Sequence, residues 1–278
     1  MRQPRPPGTP HGSIARRCWR MASVPDVVLF HGHHAHEFMR HMHDVATVIL
    51  VTDGTVEIEI EGVYHRVGVG GLITIGAWQV HSARPIDSRG WEMRSMHLPV
   101  GLLSALDDFG GEMHTPPRGP QATDQRQAEL FLDLHRSSED ARREDLQFAS
   151  LRAFAVSVQT IPEPRTSPSI ARPDLDARLV RAREMIERTV FENMPMEGIA
   201  EEVGLSTFTL IRRFKSEYGT SPHAWRMQAR ANAAAKCLRD KVPLCEAAAS
   251  CGFFDQAHMS RVFKKVFGVT PGQYSHTH

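Results

Sequence analysis

The spacing of hydrophobic residues changes twice along the chain. From Val45 to about Leu98, apolar residues come in short runs or alternate with polar ones, as valine and isoleucine do with glutamate over residues 56–61. A period of two is typical of strands with one buried face. The runs are separated by residues that favour tight turns: Asp53-Gly54, Glu61-Gly62 and Gly70-Gly71. Short antiparallel strands at this spacing predict a small β-barrel or jelly roll.

Helical spacing begins after a stretch rich in proline and glycine from Met113 to Pro120. The apolar residues that share helix faces there are Leu130 with Leu134, and then Leu151, Phe154, Ala155 and Val158. An apolar stripe does not specify which surface covers it, so two interpretations stay open. These helices pack on the barrel of the same chain, or they form a helical dimerisation segment.

Two segments without periodicity mark the domain borders. Residues 161–173 contain four prolines and predict an extended linker. Residues 1–22 are rich in proline and arginine and contain no acidic residue, which predicts a disordered tail. We therefore expect the tail at 1–22, a β-rich domain at 23–160, the linker at 161–173 and a helical domain at 174–278.

The helical domain contains an internal near-repeat. The two copies read GLSTFTLIRRFKSEYGTSP and GFFDQAHMSRVFKKVFGVTP, and a short predicted helix precedes each. The residues that recur are Ala200, Gly204, Phe214, Gly219 and Pro222 in the first copy and Ala248, Gly252, Phe263, Gly268 and Pro271 in the second. The second copy has one extra residue between its first glycine and its phenylalanine. A repeat of this kind is the most informative feature of the sequence.

Each recurring residue suits a helix-turn-helix. The alanine is small where the first helix packs on the second, and the glycine after it tolerates a left-handed turn. Ser206 and Asp255 are suitable N-caps for the second helix of each copy. The later glycine and proline can end that helix and begin the next. The predicted core anchors, spaced four residues apart, are Leu210 with Phe214 and Met259 with Phe263.

The anchors define which side chains point outward. Arg212 lies two residues from each anchor of the first copy, about 200° around the helix, and Arg261 has the matching place in the second. Phe208 and Ile211 share the outward sector with Arg212. A DNA groove lined with thymine methyls and guanine edges would suit all three. The alternative is that Phe208 packs at the helix start and Ile211 is buried against a neighbour.

The charge distribution agrees with an anionic partner. The net charge is only +1, but from Leu205 to the end there are 11 lysines and arginines against 4 acidic residues, whereas the rest of the chain carries 22 against 28. A basic end on a mildly acidic remainder is expected of a surface that meets phosphates. A chance fluctuation of charge is the alternative. The arginines of the predicted tail could likewise form a basic arm that touches DNA.

Composition excludes several classes of protein. The four cysteines lack the spacing of a zinc or redox motif, and no apolar run reaches the roughly 18 residues of a membrane span. We therefore expect a cytoplasmic protein with reduced thiols and no membrane contact. The chain contains no nucleophile elbow, phosphate loop or paired-carboxylate site, so most enzyme classes have no support.

The region from about Leu175 to Tyr274 resembles the DNA-binding domain of the AraC/XylS family of transcription regulators. The resemblance rests on the whole repeat and on the closing signature GFFDQAHMSRVFKKVFGVTPGQY. It implies two helix-turn-helix units joined by a long helix, here roughly Pro222 to Leu238. The second helix of each unit would enter the DNA major groove, at sites about one helical turn apart.

The family's base-reading positions fall on Phe208, Ile211 and Arg212 in the first unit. In the second unit the resemblance implies Gln256, Ala257, His258 and Arg261. Gln256 with adenine and arginine with guanine would suit direct readout. Ala257 offers no hydrogen bond, which leaves open whether the second unit reads bases or mainly grips the phosphate backbone.

The β-rich half resembles the cupin-like sensing domain that many members of this family carry. The match rests on RHMHD, GVYHRVGVGGLITIGAWQVHSA and GWEMRS. His41 and His43 are on one face of a predicted strand, and His81 could converge with them. Metal-binding cupins also supply a carboxylate, where this chain has Ala46 and Thr47.

Two roles for these histidines stay open. A neutral three-histidine site can hold zinc or iron. The favoured interpretation is that His41, His43 and His81, with Trp78 beside them, bind an organic effector by hydrogen bonds or stabilise the barrel mouth. We expect no metal and no cofactor.

Together these features predict an α+β protein: an antiparallel, cupin-like β-barrel with a helical dimerisation segment, followed by an all-α domain of two helix-turn-helix units. The predicted function is sequence-specific regulation of transcription in response to a small-molecule effector, without enzymatic activity. The expected partners are double-stranded DNA, the effector and a second copy of the chain, with RNA polymerase as a further candidate. The alternative function is that of a cupin-type metalloenzyme with a helical appendage.

Overall fold

A computed structural model describes residues 16–99, 102, 119–120, 125–159 and 176–275. Its strands are β1 (Arg17–Met21), β2 (Val24–His34), β3 (Phe38–His41), β4 (Val45–Ile60), β5 (Val63–Gly68), β6 (Leu72–Ile75), β7 (His81–Pro85), β8 (Trp91–Pro99) and β9 (Gly119–Pro120). Its helices are α1 (Gln125–Ser137), α2 (Glu144–Gln159), α3 (Ala177–Arg188), α4 (Met196–Glu202), α5 (Thr207–Tyr218), α6 (Pro222–Arg239), α7 (Leu244–Ser250), α8 (Gln256–Phe267) and α9 (Pro271–Ser275). Within these ranges no helix is long and apolar enough to cross a membrane.

The N-terminal part is an antiparallel sheet built around β4. The main strand order is β1-β2-β8-β4-β6-β9, while β5 and β7 pair with the second half of β4, and β3 pairs with β7. The two end strands of this order do not pair with each other in the described residues, so the sheet is open. The prediction of an antiparallel sheet domain is confirmed, but the expected closed barrel is corrected to an open, bent sheet.

The long strand β4 bends at Gly54 instead of ending there. The sequence predicted a hairpin turn at Asp53-Gly54, and this prediction is wrong because β4 continues through it. Gly54 has φ +75°, and a Cβ atom there would lie 2.5 Å from the carbonyl oxygen of Gly90. The positive φ therefore redirects one strand from its first set of partners to its second. The chain does turn back at Glu61-Gly62, with φ +50° and +87°.

Part of the predicted disordered tail is ordered, because Arg17–Met21 form strand β1. Residues Arg17–Met21 pair with β2, and the side chains of Trp19 and Met21 are buried. The helical domain covers this edge of the sheet, where Arg20 Nη1 donates a 2.9 Å hydrogen bond to the carbonyl of Arg239. Burial and these hydrogen bonds order a segment that its composition alone would leave disordered. The rest of the predicted tail, up to residue 15, lies outside the described residues.

Helices α1 and α2 pack on the sheet of their own chain. Their buried side chains Phe131, Leu134, Leu151 and Phe154 form one core with sheet residues such as Leu29 and Met96. The apolar face of these helices was predicted either to pack on its own chain or to form a dimer interface. For the residues named here, the structure shows packing on the same chain. Leu130 is only partly buried, and the side chains of Ala155 and Val158 lie outside the described residues. The predicted linker at 161–173 lies outside them too.

The helical domain follows the predicted repeat, and its connecting helix α6 spans Pro222–Arg239. The first unit has a core that includes Ile186, Leu210 and Phe214. This core also takes in Met42 and Val80 from the N-terminal part. The core of the second unit likewise includes Val28 and Phe30 of β2, so both units share buried surface with the sheet domain.

Candidate functional site

The second helix of each unit, α5 and α8, is bounded as the sequence predicted. Ser206 Oγ accepts a hydrogen bond from the Thr209 amide at 3.2 Å, and Asp255 Oδ1 accepts one from the His258 amide at 2.6 Å. Gly219 and Gly268 end these helices with φ +72° and +73°. Side-chain caps and left-handed glycines satisfy backbone groups that a helix end leaves free. The capping predictions are therefore confirmed.

We call α5 and α8 the recognition helices, and each buries one face and exposes the other. The four predicted anchors, Leu210, Phe214, Met259 and Phe263, are fully buried. Phe208 and Ile211 are 74 % and 40 % exposed, so neither is buried against a neighbour as the alternative would require. The other predicted base-reading residues that lie exposed are Arg212, Gln256, Ala257 and Arg261. His258 is half-buried, with its ring 5.5 Å from that of Phe253.

The extra residue of the second copy is Phe254. Leu205 and Phe253 each follow the turn glycine and donate their amide to the carbonyl of Ala200 or Ala248, so they correspond and Phe254 has no counterpart. Phe253 is buried, whereas Phe254 is 91 % exposed directly before the second recognition helix. The sequence shows the insertion but does not indicate a role for it. An exposed aromatic residue at this point is a further candidate contact to DNA.

Neighbouring arginines on α5 have different surroundings. Arg213 Nη1 lies 2.8 Å from Asp176 Oδ2, and Arg178 pairs with the same carboxylate. Hydrogen bonds from Arg178 lower the pKa of Asp176 to about 2. Within the part of the chain that the structure describes, neither Arg212 nor Arg261 forms an ion pair. These two guanidinium groups are thus available to an anionic partner.

The buried guanidinium of Arg230, on α6, connects the two units. It donates to the carbonyls of Val190 at 2.6 Å and Glu192 at 2.9 Å, before the first unit, and to that of Gly252 in the turn of the second. A planar guanidinium with several fixed donors can hold such acceptors together. Arg230 therefore fixes the orientation of one unit relative to the other. This role could not be predicted from the sequence, because the acceptors are backbone groups.

A second candidate site lies where the sheet meets α8. His41 and His81 are direct partners across β3 and β7, with ring centroids 4.2 Å apart, and His43 lies 4.9 Å from His41. One nitrogen from each ring lies within 4.8 Å of the others. The predicted convergence of these three buried residues is therefore observed.

His97 is a fourth member of this cluster that sequence analysis missed. Its ring lies 4.8 Å from that of His43, and it is paired across β4 and β8 with Thr47, which stands where metal-binding cupins have a carboxylate. The register of two distant strands brings it there, so no local sequence signal could indicate it. We call His41, His43, His81 and His97 the histidine cluster.

Burial keeps the histidine cluster neutral. Burial, together with neighbouring imidazoles, lowers the pKa of His41 and His97 to about 3 and that of His81 to about 4. Burial and the three neighbouring histidines also hold the pKa of His43 well below its usual range. A neutral imidazole presents one lone pair to a ligand.

Trp78 lies beside the cluster but at the surface. Its amide donates a 2.6 Å hydrogen bond to the carbonyl of His43, and its side chain is 44 % exposed. Its φ of +62° is uncommon for a residue with a bulky side chain. Trp91, in contrast, belongs to the core of the sheet.

Comparison with known families finds matches in two separate parts of the chain. Residues 24–155 match the AraC-like ligand binding domain, and residues 199–277 match a helix-turn-helix domain. The HTH-type transcriptional regulator YbfI of Bacillus subtilis, described as uncharacterized, is 25 % identical over 229 residues, which cover 80 % of this chain and 82 % of YbfI. The arabinose operon regulatory protein of Escherichia coli is 31 % identical over 104 residues, 37 % of this chain and 36 % of that protein.

A solved structure agrees with the fold. Unsaturated fatty acid bound ToxT from Vibrio cholerae matches with a TM-score of 0.53 and 12 % identity, covering 100 % of this chain and 98 % of that one. YbfI and the arabinose operon protein are regulators and not enzymes, so the metalloenzyme alternative has no support. The chain belongs to the AraC/XylS family of DNA-binding transcription regulators, with an N-terminal ligand-binding domain ahead of its helix-turn-helix domain.

Proposed function

We propose that this regulator reads a specific DNA sequence with Phe208, Ile211 and Arg212 of the first unit and with Gln256, Ala257, His258 and Arg261 of the second. The main support is the match between α5 and α8, which have corresponding caps and buried anchors. Each also exposes an arginine, Arg212 or Arg261, that forms no ion pair in the described residues. An exposed guanidinium on a recognition helix is suited to the O6 and N7 atoms of guanine.

The test is a binding measurement on the DNA that flanks the chain's own gene. We expect Arg212→Ala and Arg261→Ala each to cost about 1–3 kcal/mol on a specific site and less on random DNA. Arg188→Ala is a matched control, because Arg188 is an exposed arginine at the end of α3 and belongs to neither α5 nor α8. Equal losses on specific and random DNA would contradict base reading. Lys264→Ala is expected to weaken binding to specific and to random DNA about equally, and to reduce the salt dependence of that binding.

We further propose that a small-molecule effector binds at His41, His43, His81 and Trp78. Three neutral imidazoles converge there, and the cluster adjoins the second recognition helix through the ring of Phe267. Effector binding would then change how the two units are presented, provided that the effector binds one arrangement more tightly. The bound fatty acid of ToxT belongs to that protein and leaves the effector class of this chain open.

The proposal extends to the chain's assembly and surroundings. We propose a homodimer that acts on chromosomal DNA in the cytoplasm, with RNA polymerase as a partner at the promoter. Because the inward stripe of α1 and α2 covers the sheet, the dimer would use other residues, and Leu146 and Phe148 of α2 are 49 % and 42 % exposed. Sedimentation of the wild type against Leu146→Glu tests this, and unchanged dimerisation would exclude that surface.

A further inference from the structure

Two rings of the histidine cluster, those of His41 and His81, are held as histidines are in metal sites. His41 Nδ1 lies 2.7 Å from the carbonyl oxygen of Met39, and His81 Nδ1 lies 2.8 Å from that of Gln79. A carbonyl only accepts, so both rings carry their proton on Nδ1 and their lone pair on Nε2. Metal-binding histidines are usually held in this way, with the nitrogen that does not bind the metal donating to a carbonyl or carboxylate.

His43 adds an unsatisfied nitrogen to this arrangement. The residue is only 4 % exposed, and its Nδ1 is buried without a hydrogen-bond partner in the described residues. A buried polar atom without a partner is unfavourable unless a ligand or water completes it. Its ring lies 4.9 Å from that of His41 and 5.4 Å from that of His81. The three rings therefore surround a point at which a single ion could accept one lone pair from each.

The donor set selects a class of ion. We infer that His41, His43 and His81 bind one divalent transition-metal ion of the zinc class, and that this ion is the effector of the N-terminal domain, in place of the metal-free site and organic effector favoured from the sequence. The second half of this inference rests on the proposed function. Imidazole suits zinc, copper, nickel and iron, whereas calcium and magnesium need oxygen ligands. Three neutral histidines leave a fourth position open for water or an exchangeable ligand.

The neighbouring residues support nitrogen ligation. Thr47 stands where metal-binding cupins supply a carboxylate. Its partner on the neighbouring strand is His97, which has an imidazole. The buried carboxylate of Glu59 accepts hydrogen bonds from Arg40, Ser82 and Gly62 and is already satisfied. The site therefore offers nitrogen donors.

The position of the site relates it to the DNA-binding domain. The ring of Phe267, in the last turn of α8, lies 5.2 Å from that of His43 and 6.3 Å from that of His97. Metal binding must fix the orientation of His43, against which this phenylalanine packs. A change in metal occupancy would therefore act on the packing of the second recognition helix.

Cobalt and zinc binding to the full, untagged chain after treatment with chelator would test the site. We expect one equivalent of Co²⁺ to give the visible d–d absorption of a tetrahedral ion, and zinc to displace it. Magnesium and calcium should do neither. His41→Gln, His43→Gln and His81→Gln should each weaken binding at least about 100-fold, because even residues that only support ligands contribute 10- to 100-fold. His36→Gln is the matched control, since it removes an exposed histidine close in sequence.

The outcomes separate the metal site from the proposed function. A wild type without a stoichiometric cobalt spectrum would overturn the site, whatever its affinity for DNA. Loss of the spectrum in His36→Gln would overturn it too, because the ion would then lie on the exposed histidines. If a cluster variant fails to melt cooperatively in chelator, the cobalt spectrum and stoichiometry of the wild type decide whether the metal site exists. Operator affinity that is equal in zinc and in chelator would overturn the assignment of the ion as effector.

Discussion

The ring of Phe267, which ends the second recognition helix, packs 5.2 Å from the imidazole of His43 in the sheet domain. On its other side Phe267 lies 4.5 Å from Phe263, a core anchor of the same helix. One aromatic residue thus contacts both the histidine cluster and the helix-turn-helix core. A ligand that moves the cluster would therefore act directly on the support of the second recognition helix.

Replacement of this residue should affect stability and signalling together. We expect Phe267→Ala to lower the free energy of unfolding by about 3–5 kcal/mol, because it removes a buried aromatic ring and leaves a cavity. It should also reduce the effect of the effector on DNA affinity. Denaturant unfolding and gel-shift titrations with and without zinc measure the two effects.

Phe254→Ala is the matched control for that experiment. The same side chain is removed two residues before α8 begins, but there it is 91 % exposed. The free energy of unfolding should change by no more than about 0.5 kcal/mol. DNA affinity should fall, because the exposed ring adjoins the recognition helix. Destabilisation of both variants by the same amount would contradict the structure.

Two glycines with positive φ offer a second matched pair. A Cβ atom at Gly54 would lie 2.5 Å from the Gly90 carbonyl oxygen, whereas at Gly62 it would have nothing within 4 Å. Gly62→Ala should cost about 1–2 kcal/mol for its left-handed backbone alone. Gly54→Ala should cost about 1–3 kcal/mol more, because β4 must shift away from Gly90. Thermal unfolding of both variants tests this, and equal costs would contradict the bend in β4.

Arg230→Lys should loosen the relative orientation of the two units. Lysine keeps the charge but cannot donate from fixed positions to carbonyls in both units. We expect a loss of about 1–3 kcal/mol in the free energy of unfolding. Affinity for a full site should fall by a larger factor than affinity for a single half-site, because only the full site requires the correct spacing.

The control is Arg188→Lys, the same exchange at an exposed position of α3. It should leave stability and both affinities unchanged. If Arg230→Lys weakened full-site and half-site binding equally, Arg230 would have no role in the orientation of the units.

Another prediction concerns His135 of α1, which is fully buried. Arg94 Nη1 lies 2.8 Å from its Nδ1, and its Nε2 lies 3.0 Å from the carbonyl oxygen of Phe30. The guanidinium only donates and the carbonyl only accepts, so the neutral ring with its proton on Nε2 satisfies both. Burial, with the charge of Arg94 and a small effect of His31, lowers the pKa of His135 to about 3. Glu139 also faces Arg94, at 2.6 Å.

This lowered pKa determines the sign of a pH effect. In the unfolded chain His135 should titrate near 6.5, so unfolding takes up a proton between about pH 3 and 6.5. The stability due to the neutral ring is complete above pH 6.5 and is lost as the pH falls towards 3. We expect stability to decrease less between pH 7 and 5 in His135→Gln than in the wild type, as measured by denaturant unfolding. Equal decreases would show that the ring is not held neutral.

The helix-turn-helix units could be predicted from the sequence in detail. Their signals are local: a cap such as Ser206, a left-handed glycine such as Gly219, and anchors four residues apart such as Leu210 and Phe214. Each signal involves residues within one or two helical turns of each other. Short-range backbone geometry is enough to specify such a unit, so helix bounds, caps and the outward position of Arg212 follow from the order of the residues.

Other features depended on contacts between residues far apart in the chain. Whether Gly54 turns the chain back or bends a continuous strand depends on Gly90, 36 residues later. The pairing of Thr47 with His97, and the burial of Trp19 in β1, depend on which strands become neighbours. Composition and periodicity describe what a segment can bury, but not what will cover it. Only the tertiary structure decided that, because strand register and packing bring together side chains that no local pattern relates.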